Sequence, residues 1–72
     1  MTQQTVSIQT PFIRLDALLK LAGAVPTGGQ AKLWIQSGRV KVNQEICTQR
    51  GKKMHPGDTV QIPEMDCEIV LS

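Results

Sequence analysis

Apolar and polar positions change period several times along the chain, and each change marks an element. TVSIQ (5–9) alternates, with Val6 and Ile8 on one side. Successive side chains of a strand point to opposite faces, so this predicts a short strand. In FIRLDALLKLAG the period lengthens. Leu15, Leu18, Leu19 and Ala22 fall at i, i+3, i+4 and i+7, the stripe of an amphipathic helix over 14–22. Asp16 and Lys20 form an i,i+4 pair in the favourable order, and Gly23 supplies a stop. Ala24-Val25-Pro26 then leads to a second helix that opens at TGGQ. Thr27 can cap it, with Gln30 at the N3 position of a capping box. Ala31, Trp34 and Ile35 share one face, Lys32 and Gln36 lie toward the other, and Gly38 ends the helix.

Period two returns in GRVKVN, Gly38 to Asn43. Val40 and Val42 point one way; Arg39, Lys41 and Asn43 point the other. Asn43 favours a turn, so this strand is the first arm of a β-hairpin. Opposing Val42 with Ile46 keeps both on the apolar face and predicts a three-residue loop, 43–45. QRGKKMHPGD has no apolar periodicity and reads as a loop, made pliable by Gly51 and closed by the turn Pro56-Gly57-Asp58. TVQI (59–62) sets Val60 and Ile62 inward. In EMDCEIVL (64–71), Met65, Cys67, Ile69 and Leu71 alternate with Glu64, Asp66 and Glu68. The order β-α-α-β-β-β-β predicts an α+β fold, a two-helix pair packed on a small, mostly antiparallel sheet. Trp34 lies on the helical stripe and reads as core. Leu33 falls off it, either as a contact for a partner or packed against the loop.

Length and composition narrow the chemistry. The 72 residues are read as one domain, 1–72, with a small interior. No apolar run approaches the ~20 residues that span a membrane. The N-terminus lacks the basic and apolar regions of a secretory signal, so a cytoplasmic location is expected. Cys47 and Cys67 are not a C-x-x-C pair, and with one His they make no zinc set. Both read as small buried or half-buried residues, and no metal or cofactor is expected. No nucleophile stands with a base and an orienter, and there is no P-loop, so no catalytic residue is assigned and a non-enzyme is expected. Residues 1–63 hold all eight cations but three of the six acids, the others being Glu64, Asp66 and Glu68. A basic patch attracts polyanions. On charge alone, a solvated surface is the simpler account. Gly28 and Gly29 leave backbone amides uncovered at a helix start, which suits a phosphate as well as it suits a plain turn.

RLDALLKLAG, then GGQAKLWIQSGRVKVNQE, then PGDTVQI resemble the RNA-binding domain of the ribosomal protein S-four type, the alpha-L motif. That family shows R-L-D-x-x-L, a second helix with an A-R-x-L-I core, G-x-V-x-V-N-G and a final G-D-x-I. The likeness runs from Arg14 to Ile62, and the RGKK segment is most similar to the free-standing YbcJ-like and YaaA-like members. It implies binding of structured RNA, with ribosomal RNA and the ribosomal particle as candidate partners. It marks Arg14, Gln30, Lys32, Lys41 and Asn43. Arg39 can join Lys32 and Lys41 in one ridge, the amide of Gly28 can meet a phosphate, and Arg50, Lys52 and Lys53 add a basic loop. Arg50 can also read a base edge or stack. Arg14 either contacts phosphate or pairs with an acid near the first helix. The chain departs from the family at Gly28 and Gly29, where basic or hydroxyl residues are common, and at Gln44, where the turn glycine stands. With Phe12 and Trp34 as the aromatic residues, stacking platforms are scarce, which favours folded RNA read by shape. A monomer is expected. The rival reading is a small protein-interaction module that meets an acidic partner.

Overall fold

A computed structural model describes residues 2–72. The chain runs β1 (Thr2–Val6), β2 (Ile13–Arg14), α1 (Leu15–Leu21), α2 (Gly28–Gln36), β3 (Lys41–Val42), β4 (Glu45–Ile46) and β5 (Lys53–Met54). It ends with β6 (Thr59–Ile62), a one-turn 3₁₀ helix (Pro63–Met65) and β7 (Cys67–Leu71). One sheet has the order β1-β7-β6-β3-β4, and β2 pairs with β5 apart from it. The pairs are antiparallel except β1 with β7, which is parallel. This is the expected α+β arrangement of two helices with a mostly antiparallel sheet.

The helical stripe buries as its spacing requires. Leu15, Leu18 and Leu19 of α1 and Ala31 and Ile35 of α2 lose all exposure against Val40, Val60, Ile62, Ile69 and Met54. Both helices end by the same device. Gly23 at φ +77° and Gly38 at φ +79° leave the helix in the left-handed region, where a Cβ is costly. Ala24 N then donates to Leu19 O at 3.0 Å, and Arg39 N to Trp34 O at 3.2 Å, closing the last turns. Thr27 Oγ1 accepts from Gln30 N at 3.2 Å, the expected cap of α2.

Four expectations change. The first strand lies at 2–6, not 5–9, because pairing with β7 runs from Thr2↔Cys67 to Val6↔Leu71. Backbone bonds hold this edge strand, so its exposed TQQT needs no apolar alternation. The hairpin loop has two residues, not three, since Val42 faces Glu45 and Lys41 faces Ile46. Asn43 at φ +50° and Gln44 at φ +73° supply the two positive φ values that a type I′ turn requires. Ile46 is consequently 63% exposed. The last strand starts at Cys67, because Asp66 at φ +50° breaks the alternation; Met65 and Cys67 are only half-buried, while Ile69 and Leu71 are buried. Finally, the 49–58 segment contains β5, and its Met54 is fully buried. One apolar residue has no period, so the pattern gave no sign of it.

Candidate nucleic-acid interface

The start of α1 organises the basic residues. Arg14, its N-cap, makes no side-chain cap. The first N–H groups of a helix lack intrahelical partners. Here the backbone of the basic segment supplies them: Leu15 N donates to Lys52 O at 2.9 Å and Asp16 N to Arg50 O at 3.1 Å. Asp16 Oδ1 takes the N–H of Ala17 at 2.8 Å. The expectation of a pliable loop is therefore replaced by a docked one. Its carbonyls face the helix, and the side chains of Arg50, Lys52 and Lys53 are left exposed.

Pairing of β2 with β5 completes the group. Ile13 faces Met54 and Arg14 faces Lys53. Met54 turns into the core, so alternation sends Arg14 and Lys53 the other way. The Arg14 guanidinium also lies against Gly51, where a Cβ would stand 3.6 Å from Nη2. That is ordinary van der Waals distance, so Arg14 packs over the turn between Arg50 and Lys52 without needing a glycine there. Asp16 meets Arg14 at 3.3 Å, so the acid pairing weighed for Arg14 does occur, with the arginine still half exposed. Lys53 Nζ also lies 4.9 Å from the Phe12 ring centroid, and the rings of Phe12 and His55 stand 6.2 Å apart at 52°.

Arg39 and Lys41 are placed differently. Arg39 Nε is 3.6 Å from Glu64 Oε1, and its guanidinium carbon lies 5.2 Å above Trp34. Trp34 is therefore half-buried, one part packed on the core and another covered by Arg39, rather than the fully buried residue expected. Lys41 belongs to a rung that crosses the large sheet: Ile46, Lys41, Gln61, Glu68 and Gln3 are successive partners. Gln61 Nε2 and Gln3 Nε2 each donate to the Glu68 carboxylate at 2.9 Å. These bonds, Gln61's first, hold Glu68 below the ordinary carboxylate range.

Asn43 is a brace. Its Oδ1 accepts from Thr59 N at 3.0 Å, and its Nδ2 donates to Asp58 Oδ1 at 3.2 Å. Asp58 Oδ2 in turn accepts from His55 N at 2.8 Å. That backbone bond, aided by the Asn43 amide and opposed by burial, keeps the Asp58 pKa low; the charge of Lys52 adds to the effect. The N-G and G-D positions of the motif thus tie the hairpin to the turn after β5. At α2, Gly28, Gly29, Gln30 and Lys32 are exposed on the first turns, and a Cβ at Gly28 would meet nothing within 4 Å. A concavity of ≈ 450 Å³ between the hairpin and residues 47–52 is lined by Asn43, Glu45, Gln49 and Lys52, among others. Among the described residues, no group of three His, Cys, Asp or Glu is placed to hold a metal, and no helix is long and apolar enough to cross a membrane.

Phe12 and His55 were not marked as site residues by sequence reasoning, and Asp58 was read as a turn residue and as part of the G-D motif. The available signal was alternation in two short runs, Phe12-Ile13-Arg14 and Lys53-Met54-His55, each too brief to stand out.

A family model described as S4 domain matches residues 6–70. The chain belongs to the S4 domain family. It is 42% identical over 57 residues to "Probable ribosome maturation protein RlbA" of Bacillus subtilis (strain 168), covering 79% of this chain and 80% of that protein. It is 37% identical over 60 residues to YbcJ of Escherichia coli (strain K12), covering 83% and 86% of the two chains. The solution structure of YbcJ superposes with a TM-score of 0.67 at 36% identity, over 92% of this chain and 85% of that one, and is described as revealing an alfaL motif involved in RNA-binding. The matched span of this S4 domain includes both helices, the hairpin and the docked basic segment.

Proposed function

We propose that this protein is a non-catalytic, cytoplasmic RNA-binding protein that takes structured, duplex-containing RNA, with ribosomal RNA or a ribosomal particle as the partner. The observation that carries the reading is the docked segment at α1. Its backbone is fixed by capping the helix, so four cations, Arg14, Arg50, Lys52 and Lys53, are displayed with little freedom left to lose in the chain beneath them. RNA offers a closely spaced row of phosphates, and preset cations meet it at lower entropic cost. Duplex RNA is read mostly by backbone and shape, which suits a surface of this kind. Gly28, Gln30 and Lys32 at the opening of α2 provide a second contact. Arg39 and Lys41 add weaker ones, and Asn43 acts by holding the turn. Residues 1–72 act as one domain and as a monomer. The names of the relatives and membership of the S4 family support the RNA reading.

The test is affinity for a duplex-containing ribosomal RNA fragment across salt concentrations. About four phosphate contacts give a fall of roughly 3 log units in affinity per log unit of salt. Absence of binding, or affinity that ignores salt, would contradict the proposal. Co-sedimentation with ribosomal particles in a gradient separates the ribosomal partner from other RNA.

A further inference from the structure

The pair β2–β5 carries more than cations. Just beyond its two residue pairs, the rings of Phe12 and His55 stand 6.2 Å apart, beside the facing Arg14 and Lys53. Ile13 and Met54 point to the core, so these four side chains share the outer face. An aromatic ring that is 40% exposed, an imidazole 6.2 Å from it and two cations thus form one small surface. Lys53 Nζ rests 4.9 Å from the ring centroid and marks its electron-rich face as accessible to a charged or flat group. Neither a solvated surface nor a phosphate clamp needs Phe12 there.

Resting on the RNA reading above, we infer that this face is a subsite for one unpaired nucleotide at the edge of the bound duplex. The base stacks on Phe12 with His55 at its edge, and the flanking phosphates lie on Arg14 and Lys53. Lys53 is the group that changes partner. Its exposed contact with the ring is weak, whereas a stacked base on an aromatic side chain is worth more. On binding, its ammonium moves to a phosphate and leaves the ring face to the base. Arg50 and Lys52 then hold the adjoining paired backbone. The chemistry selects a duplex interrupted by a bulge or a single-stranded junction over a continuous one. Sparse aromatics had argued for shape alone; one exposed ring set among cations adds a local preference to that.

The experiment compares three RNAs of the same stem: fully paired, with a one-nucleotide bulge, and with an abasic residue at the bulge. The wild-type protein should bind the bulged stem about tenfold more tightly than the paired one, a typical gain for one base on one aromatic ring. The abasic bulge should lose that gain. Phe12→Ala should bind the paired stem as wild type does and lose the preference. Phe12→Leu keeps apolar bulk without the π-face and should lose it too, so a folding defect in the first variant leaves the test intact. Phe12→Trp should restore it. Lys53→Ala should weaken all three RNAs. Equal wild-type affinity for paired and bulged stems, or a preference that survives Phe12→Leu, overturns the subsite while leaving RNA binding in place. Failure of the wild type to bind any of the three overturns the RNA reading with it.

Discussion

Arg14 and Arg39 each touch a carboxylate at similar length, 3.3 Å to Asp16 and 3.6 Å to Glu64, but their surroundings differ. Around Arg14 the backbone gathers Arg50, Lys52 and Lys53, because capping α1 and pairing β2 with β5 both draw on the same segment. Around Arg39 and Lys41 the large sheet brings acids: Glu64 at the 3₁₀ turn, and Glu68 one strand beyond Gln61 on the Lys41 rung. Four of the cations are therefore gathered at the start of α1, while Arg39 is paired with an acid at the far side. In the small β2–β5 pair register sets Arg14 beside Lys53; in the large sheet it sets Lys41 on a rung that also carries Glu68.

The largest expected effect strikes the scaffold of the basic region. Met54→Ala removes a fully buried side chain beneath β5 and should cost about 2–5 kcal/mol in denaturant unfolding. A loss below about 1 kcal/mol would show that β5 is not anchored as described. Asp58 links the two regions through His55 and Asn43, and Asp58→Ala should cost about 1–3 kcal/mol. Because folding lowers its pKa, its contribution is fully present above the ordinary value of 3.8 and is lost as pH falls through the lower folded value. Stability measured from pH 6 downward (a range of about 4 units) should therefore fall in acid, and Asp58→Asn should flatten that fall, leaving the share due to Glu68. An unchanged acid profile would remove Asp58 from the brace.

On the other side, Trp34 is half-buried, so Trp34→Ala should cost about 2 kcal/mol, below the roughly 3–5 kcal/mol of a fully buried tryptophan. A full-sized loss in thermal unfolding would place it back in the core. The smallest effect is a gain. Gln44 holds φ +73° without being glycine, and Gln44→Gly should stabilise the hairpin by about 0.5–1 kcal/mol. Destabilisation would mean that the Gln44 side chain makes a contact worth more than the strain.

The helices were legible because period 3.6 persisted through Leu15, Leu18 and Leu19 and both ends carried glycine. β6 and the buried half of β7 were legible because Val60, Ile62, Ile69 and Leu71 alternate. Edge pairing was not: Thr2–Thr5 are held by backbone bonds that leave no side-chain pattern. Nor was the two-residue turn, since placing Ile46 inward was the natural apolar choice and the structure exposes it. The basic residues could be named from their type and from family likeness. Their grouping could not, because it depends on carbonyls of Arg50 and Lys52 reaching α1, and carbonyls have no sequence signature. Asn43 showed as a turn residue, but its reach to Asp58 and Thr59 spans 15 and 16 positions and follows only from the fold.

The central claim, that the cations docked at α1 grip RNA, is tested most directly by two double variants. Lys52→Ala with Lys53→Ala and Lys32→Ala with Lys41→Ala each remove two charges. All four side chains lie outside the core, so both variants should keep stability within about 0.5 kcal/mol. Affinity for one RNA duplex is then measured across salt for both and for wild type. The first variant should lose about two phosphate contacts, reducing the salt slope by roughly two units, and the second should lose less. Equal slopes for the first variant and wild type, or a larger loss in the second, would contradict the account.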